Sequence, residues 1–192
     1  MIKILGGVAR GFPLATPRSD STRPTSVLIK RKLFDWRQNM EGYQFIDLCA
    51  GSGAVAFEAL SRGAEKVAVN DSMRGAFLTL KENQEGLIRA FKFDPASIVV
   101  SSTDAKLWVQ KELRYQFPDT KDVILFLDPP FEAHKLYFEI LESLKASNFE
   151  GEVWVESDRL IGPKLADVTG AFHSVIKTVE QGDHFVVVGK LI

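Results

Sequence analysis

The chain has 192 residues, of which 45% are hydrophobic and 26% are charged, and its formal net charge is −1. These values are typical of one ordinary globular domain and exclude a mainly disordered chain, a collagen-like repeat and a disulfide-stapled miniprotein. The single cysteine and the three histidines do not stand at metal-ligand spacing, so we expect no metal site. No apolar run approaches the ~18 residues of a membrane helix and no signal peptide is recognisable, which leads us to expect a cytoplasmic protein.

The charge is distributed unevenly. Residues 1–37 carry a net charge of +6, and the rest of the chain carries −7. A basic segment on an acidic body indicates a polyanion partner at one end, although a solvated helix face would give the same pattern.

The first 38 residues read as an extension, and residues 39–192 read as the main domain. The start of the chain predicts two short strands around Gly6-Gly7, with a second turn near Gly11 and Pro13. A polar, turn-rich stretch precedes an amphipathic helix over about Val27 to Trp36. The apolar anchors predicted for that helix are Val27, Leu28, Leu33, Phe34 and Trp36.

From residue 43 onward, short β-rich runs alternate with longer helical ones. The predicted strands are 43–48, 66–70, 97–101, 122–127 and 152–156, and the predicted helices between them are 54–62, 73–91, 105–117 and 135–147. This alternation predicts an α/β fold, with a mostly parallel sheet covered by helices on both faces. The turn Gln181-Gly182-Asp183 joins two further β-rich runs, so the sheet should end in an antiparallel hairpin.

Ligands of open α/β sheets bind at the carboxyl ends of the strands, where this chain places a glycine loop. The first strand of the main domain runs into Asp47-Leu48-Cys49-Ala50-Gly51-Ser52-Gly53, and the second ends at Asn70-Asp71. Glycines before a helix, followed by a carboxylate that can bind ribose hydroxyls, indicate a nucleoside site. The same spacing fits a dinucleotide fingerprint, so these residues alone leave an NAD-dependent oxidoreductase open.

Asp47 favours a cationic ligand over a pyrophosphate, because it puts a carboxylate beside the loop. S-adenosylmethionine, which carries an ammonium and a sulfonium, has this character. Asp104 follows the third strand, where it can contact adenine, cap the next helix, or do both. The predicted cofactor residues are Asp47, Ala50, Gly51, Ser52, Gly53, Asp71, Ser72, Asp104 and Ala105.

The most specific motif is Asp128-Pro129-Pro130-Phe131, directly after the apolar strand. Consecutive prolines make this strand end rigid, and we expect their carbonyls and the Asp128 carboxylate to remain available as acceptors. Hydrogen bonds accepted from an exocyclic amine favour a more pyramidal, more nucleophilic nitrogen, and Phe131 could stack on an extruded base. These four residues are the predicted catalytic loop.

With these motifs the chain resembles the class I, Rossmann-like S-adenosylmethionine-dependent methyltransferases. More narrowly, it resembles the RsmD family of bacterial small-subunit rRNA guanine-N2 methyltransferases. The similar segments are IKILGGVARGFPL, TRPT followed by KRKLF, DLCAGSGAVAFEALSRGA, DPPF, the strand ending in Glu156, and the late QGD turn. The resemblance implies a seven-stranded sheet whose last strand is antiparallel.

The same resemblance assigns roles to particular residues. Asp47, Ala50, Gly51 and Gly53 would line the methionine part of the cofactor. Asp71 would hold the ribose, Asp104 the adenine, and residues 128–131 the target guanine. Departures from the family pattern are Val27-Leu28 for an Asp-Arg pair, Arg31 for an acidic residue, Asp71 for a glutamate, and Asn70 for an apolar residue.

The sequence therefore predicts methyl transfer from S-adenosylmethionine to a guanine N2 of 16S rRNA by a monomer acting on rRNA or an assembling small subunit. Arg10, Arg23, Lys30 and Lys32 are the predicted phosphate contacts. Asp128 orients the amine, and whether it also removes the proton stays open. The alternatives are methylation of adenine N6 or cytosine N4, the NAD-dependent oxidoreductase, and a non-catalytic RNA-binding assembly factor.

Overall fold

The computed structural model describes residues 2–17 and 27–192. Its main body is a seven-stranded sheet in the order β5-β4-β3-β6-β7-β9-β8. The strands are β1 (Ile2–Lys3), β2 (Pro13–Leu14), β3 (Gln44–Asp47), β4 (Lys66–Asn70), β5 (Ile98–Ser101), β6 (Val123–Leu127), β7 (Glu152–Asp158), β8 (Ser174–Gln181) and β9 (His184–Lys190). The helices are α1 (Val27–Trp36), α2 (Ala54–Ser61), α3 (Arg74–Phe91), α4 (Ala105–Lys111), α5 (Leu113–Gln116), α6 (His134–Ala146) and α7 (Leu165–Gly170), with a 3₁₀ turn at Pro95–Ser97.

The sheet has the predicted mostly parallel topology. Strands β3 to β7 pair in parallel, and β9 pairs antiparallel with both β7 and β8. The order of the strands reverses at β3, so the loops after β3, β4 and β6 meet at one edge. This is the edge where the sequence places its three motifs.

Alternate residues of the central strands enter two hydrophobic clusters, one on each face of the sheet. On β3, Phe45 packs with α1, α2 and α3, whereas Ile46 packs with α4, α5 and α6. All five residues of β6 are buried, as expected for a central strand covered on both sides. The prediction of a two-faced α/β sheet is thus confirmed.

The extension differs from its prediction in two places. The N-terminal strands pair Ile2 with Leu14, so the connection spans the whole segment between them rather than a turn at Gly6-Gly7. Helix α1 has the predicted bounds, but its buried face consists of Ile29, Lys30, Leu33 and Phe34. The predicted anchors Val27, Leu28 and Trp36 are exposed, although the Trp36 ring still meets the Trp154 ring of β7 with centroids 6.1 Å apart.

The helix predicted over 105–117 is divided into α4 and α5 at Glu112. In the described part of the chain, no helix is long and apolar enough to cross a membrane.

Candidate active site

The loop between β3 and α2 depends on two glycines with left-handed backbone conformations. Gly51 has φ +54° and Gly53 has φ +76°. A Cβ atom on Gly53 would lie 2.4 Å from the Phe57 ring, whereas one on Gly51 would meet no atom within 4 Å. Gly53 therefore permits close packing of the helix on the loop, and Gly51 borders open space into which a ligand can fit.

Asp71 fixes this loop from the neighbouring strand. Its Oδ2 accepts a hydrogen bond from the Gly51 amide at 2.9 Å, and its Oδ1 accepts one from the Met73 amide, also at 2.9 Å. A carboxylate has about four acceptor positions, so these two bonds leave capacity for ribose hydroxyls. The structure therefore gives Asp71 a positioning role in addition to its predicted ligand role.

Asn70 is a structural residue that sequence reasoning did not assign to the site. Its Nδ2 donates to the carbonyls of Leu48 (3.1 Å) and Thr103 (2.8 Å), and its Oδ1 accepts from Ser101 Oγ (2.9 Å) and the Thr103 amide (3.0 Å). One buried side chain thus ties together the loops that follow β3, β4 and β5. The sequence did offer an indication of this role, because Asn70 is a polar residue at the end of an apolar strand.

Asp104 is the N-cap of α4, since its Oδ1 accepts from the Leu107 amide at 2.9 Å. This is the capping role predicted beside the adenine contact. The side chain is exposed at the same edge as Ser72, while Ala105 and Ser52 are buried. Buried Ser52 contributes its backbone, with its carbonyl accepting from Asn83 Nδ2 at 2.9 Å.

The acidic side chains converge on Cys49 and Asp47. Burial raises the pKa of the half-buried Cys49 thiol, and the carboxylates that raise it further are Asp47, Asp71, Asp128 and Asp104. Asp47 is the last residue of β3, and Asp71, Asp104 and Asp128 come after β4, β5 and β6. Because these strands are parallel, the four carboxylates lie at the same edge of the sheet.

Asp47 is the buried member of this group. Burial raises its pKa well above the usual range, the charges of Asp128 and Asp71 raise it further, and hydrogen bonds from the backbone of Cys49 and Ala56 oppose the rise. Within the described residues its Oδ1 accepts no hydrogen bond. A buried carboxylate with an unused acceptor, surrounded by like charges, is suited to a cationic ligand.

The prolyl carbonyls of the acceptor loop, residues 128–131, are less available than predicted. The Pro129 carbonyl accepts from the buried Tyr137 hydroxyl at 3.0 Å, and the Pro130 carbonyl accepts from the Ala133 amide at 2.8 Å. Each carbonyl oxygen keeps a second lone pair. Tyr137 was not predicted to belong to the site, because its position in the chain matches an ordinary core residue of α6.

Phe131 is largely buried, and its predicted stacking on an extruded base stays a prediction. The Phe131 side chain is only 9% exposed, and its ring meets the His184 ring edge-on with centroids 5.5 Å apart. Phe131 therefore packs into the wall of the site instead of projecting from it.

Two of the predicted phosphate contacts lie at the surface. Arg10 and Lys32 are both exposed, and Lys32 Nζ donates to the Glu180 carbonyl at 2.9 Å. Arg23 lies outside the described residues.

The prediction for Lys30 is wrong, because its side chain is only 2% exposed and pairs with Glu58 instead of facing solvent. Glu58 is correspondingly buried, which also excludes a solvated helix position for it.

A family described as "Conserved hypothetical protein 95" matches residues 2–186 of the chain. The Ribosomal RNA small subunit methyltransferase D of Escherichia coli K12 is 32% identical over 161 residues, which are 82% of this chain and 75% of that protein. The chain belongs to this RsmD-like family. The protein of the same name from Haemophilus influenzae is 30% identical over 161 residues, covering 83% of this chain and 76% of the relative.

A solved structure that is less similar in sequence has the same fold. The Thermus thermophilus 16S rRNA N2 G1207 methyltransferase RsmC, in complex with AdoMet and guanosine, superposes with a TM-score of 0.64 at 16% identity. The match covers 90% of this chain and 44% of that one. It shows the Rossmann-like methyltransferase fold.

Proposed function

We propose that this protein transfers a methyl group from S-adenosylmethionine to the exocyclic N2 of a guanine in 16S rRNA. The observation that carries the proposal is that the glycine loop and the acceptor loop follow the neighbouring parallel strands β3 and β6, while Asp71 accepts a hydrogen bond from the Gly51 amide at 2.9 Å. Membership of the RsmD-like family supports rRNA methylation, and the names of the relatives support the small subunit as the substrate.

The residues at the glycine loop fit S-adenosylmethionine. Gly51 leaves open space, Asp71 retains acceptor capacity for ribose hydroxyls, and Asp47 offers a buried acceptor to a positive charge. When bound, S-adenosylmethionine supplies a methyl carbon on a cationic sulfur, which takes the carbon–sulfur electron pair as the methyl leaves. A dinucleotide fits less well, because its pyrophosphate would bring negative charge towards Asp47 and Asp128.

The acceptor loop supplies what a weakly nucleophilic amine needs. The Asp128 carboxylate and the second lone pair of the Pro129 carbonyl accept hydrogen bonds from the two amine N–H groups and orient the nitrogen lone pair. As the nitrogen bonds to the methyl carbon it gains positive charge, which the nearby carboxylates stabilise. The nitrogen then loses one proton, to the Asp128 carboxylate or to water, and becomes a secondary amine. Holding the reacting atoms in line provides most of the acceleration.

The RNA would approach from the basic extension. Arg10 and Lys32 are exposed and carry no acidic side-chain partner among the described ion pairs, and Arg23 lies in the same basic segment of the sequence. Such contacts position the phosphate backbone without reading sequence, so target choice would depend on RNA shape and on the acceptor pocket.

The deciding experiment uses isotopically labelled S-adenosylmethionine and small ribosomal subunits that lack the modification. Mass spectrometry of the digested rRNA should find N2-methylguanosine as the labelled nucleoside. The Asp128→Ala variant should transfer no detectable methyl group while binding the cofactor with affinity close to that of the wild type. Label in adenosine or cytidine, or full turnover by the variant, would contradict the proposal.

A further inference from the structure

A buried carboxylate beside the acceptor loop has no role in the chemistry described above. Glu156 lies in β7, which pairs in parallel with β6 so that Val155 is opposite Leu127. Asp128 directly follows the last residue of β6, and Glu156 is the next residue of β7, at the same edge of the sheet. The Glu156 side chain is 1% exposed. Glutamate is seldom buried to this degree unless charge partners or a function require it.

One group beside Glu156, the His184 ring, also contacts the acceptor loop. His184 Nδ1 lies 3.6 Å from Glu156 Oε1, and His184 Nε2 lies 3.8 Å from Asp158 Oδ2, both longer than a hydrogen bond. The His184 ring is the one that meets Phe131 of the acceptor loop edge-on. The His184 ring therefore lies between Glu156 and Phe131 of the acceptor loop.

Tyr137 provides a second, independent link. Its hydroxyl donates to the Pro129 carbonyl at 3.0 Å. Burial raises the pKa of Tyr137, and both Asp128 and Glu156 contribute to the rise through their charges. One hydroxyl therefore bonds to the acceptor loop and is affected by the charges of both carboxylates. The register of β6 and β7 places Glu156 beside the first residue of that loop.

The chemistry of the amino bases gives such a carboxylate a use. In guanine, the atom next to the amine-bearing carbon on the Watson–Crick edge is N1, which carries a hydrogen and donates. In adenine and cytosine the corresponding ring nitrogen carries a lone pair and accepts. An ionised carboxylate can accept hydrogen bonds but cannot donate them. It therefore binds the N1–H of guanine and repels the ring-nitrogen lone pair of adenine or cytosine.

We propose that Glu156 is a specificity-determining residue of the acceptor pocket, whose carboxylate accepts a hydrogen bond from the N1–H of the guanine being methylated. This inference rests on the proposed function and deepens it, since it explains why a guanine would be chosen over the other two amino bases. Asp128 holds the amine, and Glu156 reads the neighbouring ring nitrogen.

The test replaces the methylated guanosine of an rRNA substrate with 2-aminopurine or 2,6-diaminopurine riboside. Both analogues keep the 2-amino group, but their N1 has a lone pair instead of a hydrogen. We expect the wild type to prefer guanine by about 100-fold or more in kcat/KM, as sites built around a hydrogen bond do. In Glu156→Gln, the amide can donate to N1, so we expect the ratio to fall to roughly tenfold or less, with slower methylation of guanine.

The matched control is Glu152→Gln, at the other end of the same strand, where the carboxylate pairs with Arg37 at 2.8 Å. It should keep the wild-type preference. A Glu156→Gln variant that slows all three substrates equally would overturn the inference.

Equal methylation of guanine and the analogues by the wild type would also overturn the inference, whether or not the variant folds. A wild type that methylates no guanine N2 at all would instead refute the proposed function.

Discussion

Lys30 Nζ lies 3.6 Å from Glu58 Oε2, and both side chains are almost completely buried. Glu58 also accepts hydrogen bonds from the Leu5 amide at 2.7 Å and from Arg62 Nε at 2.8 Å, while Lys30 donates to the Lys3 carbonyl at 3.3 Å. The pair therefore fastens the N-terminal hairpin and α1 to α2, the helix that follows the glycine loop. The fold thus includes a contact between the extension and the helix after the glycine loop.

Removal of the Glu58 carboxylate should destabilise the protein strongly. The Glu58→Ala substitution would leave the buried Lys30 ammonium without its charge partner and the Leu5 amide without its acceptor. Breaking a buried ion pair typically costs about 3–5 kcal/mol. Urea unfolding would measure the change in the free energy of unfolding.

The matched comparison for Glu58→Ala is Lys135→Ala, which removes an ion pair to Glu139 from a lysine side chain that is 90% exposed. Exposed pairs add little to stability. Equal midpoints for Glu58→Ala and the wild type would show that the buried pair does not hold the extension in place.

Asp47 should reduce the stability of the cofactor-free protein while it supports binding. Because its folded-state pKa is raised, the folded protein resists its ionisation, and stability is lost as pH rises from the unfolded-state pKa of about 3.9 towards the higher folded value. At neutral pH, Asp47→Asn should therefore raise the melting temperature of the cofactor-free protein by roughly 2–4 °C, the shift for about 1 kcal/mol.

The same Asp47→Asn variant should bind S-adenosylmethionine about tenfold or more weakly, since it loses a charge-assisted contact. Calorimetric titration measures the affinity, and thermal scans from pH 5 to 8 measure the stability. Asp122→Asn, at an exposed position, should change neither quantity. A variant that is less stable and binds as well as the wild type would argue against a cation site at Asp47.

Tyr137 should position the acceptor loop, because its hydroxyl bonds to the Pro129 carbonyl. In Tyr137→Phe the carbonyl is held less firmly, and we expect kcat to fall about tenfold, the equivalent of one hydrogen bond of about 1.4 kcal/mol. The KM for S-adenosylmethionine should stay unchanged, which separates this effect from a general loss of structure.

The control for this substitution is Tyr115→Phe, whose ring is 85% exposed on α5. Its kinetics should match those of the wild type. If Tyr137→Phe changed KM for the cofactor and left kcat alone, the hydroxyl would act on the glycine loop instead.

The sheet and the location of the site could be predicted from the sequence, because both follow from local patterns. The apolar run of β6 and the glycines at 51 and 53 have few structural alternatives. The environments of individual side chains could not be predicted in this way. Lys30 looks like a surface cation in a basic helix, and only the position of Glu58, 28 residues later, makes its burial possible.

The same limit explains the acceptor loop. Its two prolines predicted a rigid strand end, but the partners of their carbonyls come from α6 and from the turn after the loop. His184 and Glu156 meet only because β9 returns antiparallel beside β7. Contacts of this kind depend on tertiary packing, which no local pattern contains.

Substitution of the exposed Arg10 and Lys32, compared with substitution of the buried Lys30, tests whether the extension binds RNA. Each phosphate contact contributes close to one unit to the slope of log affinity against log salt concentration. Arg10→Ala and Lys32→Ala should therefore each weaken binding of an rRNA fragment and reduce that slope by about one unit. Filter binding or fluorescence anisotropy at several salt concentrations would measure both quantities.

The matched control is Lys30→Met, which removes a positive charge of the same basic segment from the interior of the protein instead of from its surface. We expect its salt slope to equal that of the wild type, while its free energy of unfolding falls because Glu58 loses a partner. A reduced slope in Lys30→Met would place that ammonium group on the RNA after all. Unchanged slopes in both Arg10→Ala and Lys32→Ala would move the RNA-binding surface away from this face of the extension.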